Sequence, residues 1–518
     1  MKKSYGQYFT PSYVARFMVS MADISKDAQI LEPSCGDGAF LDVLHQQGFD
    51  NVTAYEIDKS LLHRHGVIYE SFISAETDKK FDLVIGNPPY IRWKNLDNDL
   101  KSELQSNELW LKYCNSLCDY LYIFIIKSIH LLKDGGQLIF ICPEYWLNTS
   151  HSQKMRNFML SYGYMDTIIS FNESVVFGGV ASSSIIFKYI KSQKNDKTIK
   201  VTKLLKSKKI DEKFLQDIAQ KNLLDDVDYF DMDQFSPNSI WSLKSKNITT
   251  KLLNLQYACI KKENRQDLLE KSQNIKLSDI CMIGNGMVSG LDKAFQYHSN
   301  EFSDCEKNDL IKVIKAKNLK QFFANGEQSY ILIDNDIKED EFQINYPNFY
   351  QHLQLYKSDL LKRYQYNKDI PYWQWVFLRN YKLFSQNERK IFVPCKERIS
   401  HKNYFRFALV GSEFYPTQDV TAIFKKIEVQ ESLEYITAYL NQPIIFDWLR
   451  FNGVVKGNIV EFSEKPLSNI PFRCINWDDE YEVMLHDDIT KITANIVLNK
   501  DLSLLKMVQK KFNQLLRI

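Results

Sequence analysis

Asn87-Pro88-Pro89-Tyr90 is a run of four residues whose types can grip an amine. An exocyclic amine on a heteroaromatic ring is a poor nucleophile, because its lone pair is delocalised into the ring. Two acceptors that hold both of its N–H groups draw that lone pair out of conjugation. The side-chain oxygen of Asn87 supplies one acceptor and the carbonyl of Pro88 the other. Proline fixes its own backbone and restricts the residue before it, so Pro88 and Pro89 stiffen both groups. Tyr90 offers a flat face; base–aromatic stacking is worth roughly 1–3 kcal/mol. That offsets part of the cost of taking a base out of a duplex. An amine held this way can attack an activated methyl group in line, with positioning and preorganisation as the main sources of rate. The bland alternative is a proline-rich turn. It loses weight because the tetrapeptide follows the apolar strand Asp82-Leu83-Val84-Ile85-Gly86 directly.

A methyl donor needs its own site, and the sequence offers one upstream. Gln29-Ile30-Leu31 reads as a strand ending in Glu32-Pro33-Ser34-Cys35-Gly36-Asp37-Gly38, before a helical stretch from Ala39 to Gln47. A glycine turn that opens a helix presents backbone N–H groups to a ligand. The third glycine of a dinucleotide fingerprint is missing, since Phe40-Leu41 follow Gly38. A pyrophosphate cradle is therefore disfavoured, and Glu32 suits a cationic or amino-bearing ligand. Glu56 closes a second strand, Val52 to Asp58, where an acid can accept from both ribose hydroxyls. Together these describe a nucleoside site without pyrophosphate, which S-adenosylmethionine fits. The alternative is a structural turn with a solvent-facing Glu56.

The elements that must carry these residues alternate. Strand-like segments at 29–31, 52–58, 82–86, 137–142, 167–171 and 184–190 are separated by helical ones, notably Tyr120 to Leu132. This predicts an α/β fold with a parallel sheet and crossover helices. Lys188 to Lys213 holds ten lysines against three acids; it reads as a solvated hairpin or linker, or as a phosphate-contacting strip. Beyond about residue 270 the texture turns to mixed short strands, helices and loops. Aromatics (Tyr372, Trp373, Trp375, Phe377, Phe392, Phe405) interleave with basic residues (Arg379, Lys382, Lys390, Arg406). The expected organisation is a catalytic domain over 1–250, a linker over 251–265 and a mixed α+β domain over 266–518.

Composition limits the classes. The chain has 518 residues, a formal net charge of +2, 44% hydrophobic and 25% charged residues, as in ordinary soluble globular proteins. Its nine cysteines are scattered without a CxxC pair, so neither a disulfide framework nor a metal site is expected. The first residues lack the apolar stretch of a signal peptide. The longest apolar run, Leu121 to Ile126, is far short of the roughly 20 residues of a membrane span. A cytoplasmic protein is expected.

In order and type, these motifs resemble the gamma class of N6-adenine DNA methyltransferases, the TaqI type. That class opens with a segment matched here by Tyr5-Gly6-Gln7-Tyr8-Phe9-Thr10-Pro11. The glycine loop, Glu56, Phe81-Asp82 and Asn87-Pro88-Pro89-Tyr90 follow in the class's order, and Gly286-Met287-Val288-Ser289-Gly290-Leu291-Asp292-Lys293-Ala294-Phe295 resembles its C-terminal recognition domain. The resemblance implies a Rossmann-like S-adenosylmethionine-dependent methyltransferase sheet followed by a DNA-recognition domain. It implies that Thr10 and Glu32 hold the methionine end of the cofactor and that Ser34, Cys35 and Gly36 line its loop. Glu56 takes the ribose, and Tyr8, Ile57, Ser71, Phe72, Asn87 and Pro89 complete the cofactor contacts. Phe177 resembles the second aromatic that sandwiches a flipped adenine with Tyr90. One departure stands out: the aspartate that usually precedes Phe72 and binds the cofactor's adenine amino group is Ser71 here, with Glu70 beside it. Either Glu70 substitutes, or Ser71 and backbone suffice.

The implied partner is double-stranded DNA, with a separate cognate restriction endonuclease possible, and a monomer is the default. Rival readings are an amino methyltransferase acting on RNA or a protein amide, and a non-catalytic DNA-binding relic of the fold. Cytosine N4 is a weaker target, because a serine commonly replaces the asparagine there. A fused nuclease is not expected, since the chain starts directly at the cofactor segment.

Overall fold

Continuous apolar runs around Ile30, Leu83 and Leu138 are what a sheet needs when helices cover both its faces. The computed structural model builds that sheet. It describes residues 8–516 apart from 62–63, 178–179, 182, 194–196, 261–273, 334–335, 367, 400–401 and 457. The chain divides into two units, Met1–Lys246 with Lys456–Asn458, and Asn247–Val455 with Ile459–Ile518.

The first unit runs α1 (Ser12–Ser20), β1 (Ile30–Glu32), α2 (Ala39–Gln46), β2 (Val52–Tyr55), β3 (Val67–Ile68), β4 (Phe81–Gly86), α3 (Asn98–Ser106), α4 (Glu108–Tyr113), α5 (Leu121–Leu131) and β5 (Leu132–Pro143). It continues with α6 (Gln153–Tyr162), β6 (Gly163–Ser170), β7 (Val175–Phe177), β8 (Val180–Ala181), β9 (Ser184–Lys191), β10 (Ile199–Leu204), α7 (Glu212–Ala219) and β11 (Val227–Met232). Among the described residues, nine strands form one sheet in the order β11-β10-β6-β9-β5-β4-β1-β2-β3.

The sheet is mixed rather than wholly parallel. β5, β4, β1, β2 and β3 pair in parallel, but β9 lies antiparallel between β5 and β6. The reason is local. Among the described residues, the β7–β8 ribbon and no helix lies between β6 and β9, and without a crossover helix the chain returns antiparallel. The lysine-rich stretch is no linker, because β10 within it pairs with β6 and β11.

Alternation along the strands builds two cores. Leu83, Ile85, Ile139 and Ile141 pack with Val14 and Phe17 of α1 and Phe40 and Leu44 of α2. Val84, Leu138 and Phe140 face the opposite way, onto α5. Each such aliphatic side chain contributes about 1.5–3 kcal/mol on full burial. Asp82 fixes the start of β4: its Oδ2 accepts from Gln29 N at 2.8 Å and from Lys133 Nζ at 2.7 Å.

The second unit is mixed α and β. α8 (Lys246–Ala258) runs through the first part of the segment expected as a linker and buries Leu252 and Leu255 in this unit's core; residues 261–265 lie outside the described residues. A four-stranded antiparallel sheet joins Cys281–Asn285, Val420–Lys425, Lys390–Pro394 and Ala408–Val410. The Gly286–Phe295 segment is braced within this unit. A Cβ at Gly286 would stand 2.1 Å from the Thr417 carbonyl, and Lys315 Nζ binds Asp292 Oδ2 at 2.5 Å and Asp419 Oδ1 at 2.8 Å. Most of the aromatic-rich stretch is core: Tyr372, Trp373, Trp375, Phe392 and Phe405 are buried, and Phe377 is exposed. The interleaved Lys390 is buried too, and Arg406 Nε is spent on Glu397 at 2.7 Å.

Among the described residues, no helix is long and apolar enough to cross a membrane.

Candidate active site

The chain leaves β1 for β2 on one side and returns to β4 on the other. Such a reversal opens a crevice at the carboxyl ends of the strands. β1 ends in Glu32, Glu56 follows β2, and Asn87 follows β4, so the fold gathers three distant residues at one edge. A cleft of about 760 Å³ lies there. Tyr8, Thr10, Glu32, Ser34, Cys35, Gly36, Glu56, Ile57, Ser71, Phe72, Asn87, Pro88 and Pro89 all line it.

The glycine loop is shaped by backbone conformation. Gly36 and Gly38 have φ of +54° and +88°, which L-residues with a Cβ rarely adopt, and a Cβ at Gly36 would stand 3.4 Å from the Phe9 ring. Glu56 ties the loop down. Its Oε2 accepts from Gly36 N at 2.7 Å and its Oε1 from Asp58 N at 2.8 Å. A carboxylate has lone pairs beyond these two bonds, so it can still accept from a ligand.

Glu32 is the unusual group. Its side chain is 1% exposed, and among the described residues neither carboxylate oxygen has a hydrogen-bond partner. Burial pushes its pKa well up; Glu56 and Asp37 add to the rise, and Arg64 opposes it. A buried, unpartnered carboxyl is costly unless something completes it. A ligand ammonium would do so, and the donor set therefore fits the amino-acid end of S-adenosylmethionine.

Asn87 is fixed by the segment that precedes α1. Its Nδ2 donates to the Tyr8 carbonyl at 2.7 Å and to Thr10 Oγ1 at 3.1 Å. Both amide hydrogens are thereby used, and Oδ1 is left as the working acceptor. The sequence assigned Tyr8 and Thr10 to the cofactor; the structure gives them a further task, orienting the amide. The Tyr90 hydroxyl donates to that same Oδ1. Burial pushes the Tyr90 phenol well up, which keeps it a donor. Its ring stacks on Tyr8 with centroids 5.5 Å apart and planes at 18°. The Asn87 acceptor is thus capped by its own motif's tyrosine.

The Ser71 departure also has a structural answer. Ser71 Oγ donates to Glu103 Oε1 of α3 at 2.5 Å and accepts from Ile73 N at 3.2 Å. A carboxylate meets the Ser71 wall from another element. Glu70, offered as the substitute, does not line the cleft. Phe72 is 3% exposed and packs on Tyr55 and Phe124. Leu100, Tyr120 and Phe124 complete this wall, and sequence reading missed them. Leu100 and Phe124 stand on helices and Tyr120 just before one, and nothing in the apolar periodicity visible there singles out the residue facing a cleft. Phe177 ends β7, and its side chain lies outside the described residues.

A cleft at the carboxyl edge of a sheet of this order is the architecture of a Rossmann-like, S-adenosylmethionine-dependent methyltransferase fold. Residues 38–177 match the Eco57I restriction-modification methylase family, and residues 1–66 match the N-6 DNA Methylase family. The type II methyltransferase M.HindII of Haemophilus influenzae is 47% identical across 99% of this chain and 98% of its own length. M.HincII, from the same species, is 46% identical over the same shares. Among solved structures, the type IIL restriction-modification enzyme MmeI shares the fold with a TM-score of 0.59 at 11% identity, covering 98% of this chain and 72% of that one. The protein belongs to the N6-adenine DNA methyltransferases, as a type II enzyme of restriction–modification.

Proposed function

We propose that the enzyme is of the gamma class, the TaqI type, and acts on an adenine rotated out of duplex DNA. The observation that carries this reading is the pairing, in one cleft, of a fixed Asn87 amide with an unpartnered, buried Glu32 carboxyl. S-adenosylmethionine supplies an electrophilic methyl group when bound. Glu32 would hold its ammonium and Glu56 its ribose, while Ser34, Cys35 and Gly36 form the loop around it. Asn87 Oδ1 and the Pro88 carbonyl then accept the two N–H groups of adenine N6 and turn its lone pair out of the ring. The extra proton leaves after transfer, when the substituted amine is acidic. Glu103 is the acid that serves the cofactor's adenine end, through or beside Ser71. Glu103→Gln should raise the cofactor Kd by about three- to tenfold, as for one charge-assisted hydrogen bond, and an unchanged Kd in calorimetry excludes the assignment.

The second unit is the target-recognition domain on this reading. The enzyme acts as a cytoplasmic monomer alongside a separate restriction endonuclease. Label transfer from methyl-labelled S-adenosylmethionine to duplex DNA tests the whole reading, with N6-methyladenine as the expected product. Recovery of label in N4-methylcytosine, RNA or protein would reject it. Methylation-sensitive sequencing of cells with and without the enzyme then reads the site.

Tyr90 has two roles in this scheme, a cap in the free enzyme and a stacking face for the base. Tyr90→Phe keeps the face and removes the cap, so kcat/KM for DNA should equal or exceed that of the wild type. Tyr90→Ala removes both and should lose about 10- to 100-fold, the range that stacking energies imply. Cofactor affinity should be unchanged in either. Equal losses in the two variants would show that the hydroxyl, not the ring, matters.

A further inference from the structure

α5 is apolar almost throughout, yet one lysine lies on its buried side. Lys127 is 9% exposed, among Ile125, Ile126 and Ile129. Its Nζ donates to the carbonyls of Phe72 at 2.6 Å, Ile73 at 2.9 Å and Ala75 at 2.6 Å. An ammonium has three donors and no acceptor, so the three carbonyls match it fully. Nζ also lies 4.9 Å from the centroid of the Phe72 ring. Burial pushes the lysine down to about 8, against the pull of Glu103, Glu70 and Glu76. A leucine would fill this position at less electrostatic cost. The group therefore acts where its bonds go, which is one tight turn closed by Ala75 N on the Ser71 carbonyl at 3.0 Å. That turn carries Ser71 and Phe72 into the cleft wall.

We propose that Lys127 is a positioning residue for the cofactor, clamping the Phe72–Ala75 turn from behind so that Ser71 and Phe72 are preformed for the cofactor's nucleoside. The proposal rests on the reading of this cleft as the S-adenosylmethionine site. The clamp touches neither the ammonium end at Glu32 nor the amine grip at Asn87. Its loss should therefore appear in cofactor affinity and not in the chemical step.

The test uses the full chain and 5′-methylthioadenosine, which carries the nucleoside and thioether but no amino acid. Lys127→Met keeps length and removes all three donors. Its Kd for methylthioadenosine should rise by about tenfold or more, as expected when buried carbonyls lose their partner. KM for S-adenosylmethionine should rise in parallel, with kcat at saturating cofactor within about threefold of wild type and DNA affinity unchanged. Lys127→Gln can still serve two of the carbonyls. It should lose about threefold, and it carries the test if the methionine variant fails to fold. Wild-type methylthioadenosine affinity in the glutamine variant overturns the proposal, as does a folded methionine variant in which kcat falls while KM holds. If the wild type itself fails to bind methylthioadenosine, the cofactor reading falls and the clamp falls with it.

Discussion

Asn87→Ala is expected to lower kcat by about 10²- to 10³-fold or more, the range seen when one preorganised hydrogen-bond partner is removed from a reacting centre. Cofactor affinity should fall far less than kcat, since Glu32 and Glu56, the acids proposed to hold the cofactor, lie at the ends of other strands. The size of the effect follows from the wiring. The Asn87 amide is held by Tyr8 and Thr10 through Nδ2, so the amide itself need not turn, and only the Tyr90 hydroxyl has to leave Oδ1. An alanine removes the acceptor and leaves the adenine lone pair in conjugation. Single-turnover methylation with pre-bound cofactor measures the step directly. Turnover near that of the wild type would falsify the amide grip.

Glu32→Gln carries the second large effect, and its two halves have opposite signs. Cofactor affinity should fall by about 10²-fold, because a buried charge pair loses one member. The free enzyme should become more stable at neutral and alkaline pH. In the folded chain burial holds the Glu32 proton to a higher pH than in the unfolded chain. As pH rises from the unfolded carboxyl's range of about 4.3 toward the folded value, the unfolded state releases this proton first, and stability falls. The wild type should thus lose melting temperature relative to Glu32→Gln across that window, with the difference absent below it. S-adenosylmethionine should restore the wild type and have little effect on the variant. Parallel melting curves at every pH, with cofactor raising both equally, would remove Glu32 from the site.

The place of the candidate site is legible in this chain because its motifs are local. Asn87-Pro88-Pro89-Tyr90 and the loop from Glu32 to Gly38 each lie in one short run after one strand, and strand–turn grammar places both at the same sheet edge. What escapes is whatever depends on side chains meeting from distant elements. Nothing near Ser71 announces that Glu103 will reach it from α3, and a lysine within α5 reads as one polar residue on an apolar helix. The antiparallel β9 escapes for a related reason, because its direction depends on a missing crossover helix rather than on its own residues. The aromatic and basic stretch from Tyr372 to Arg406 marks the limit of composition. Interleaved rings and charges suggest a nucleic-acid surface, yet most of those rings are interior, Lys390 is buried and Arg406 is paired with the buried Glu397.

The bond from the Tyr90 hydroxyl to Asn87 has a bearing on selectivity. Cells contain abundant loose adenosine and ATP, each with the same amine as the intended target. An enzyme with an open grip would waste its donor on them. Here the grip is stoppered, and on the proposed reading a small purine must displace the phenol without the phosphate contacts that a duplex brings. A long polyanion, anchored along many phosphates, can supply that energy. On this reading, the first discrimination is between polymer and metabolite, and it is made before any base is inspected.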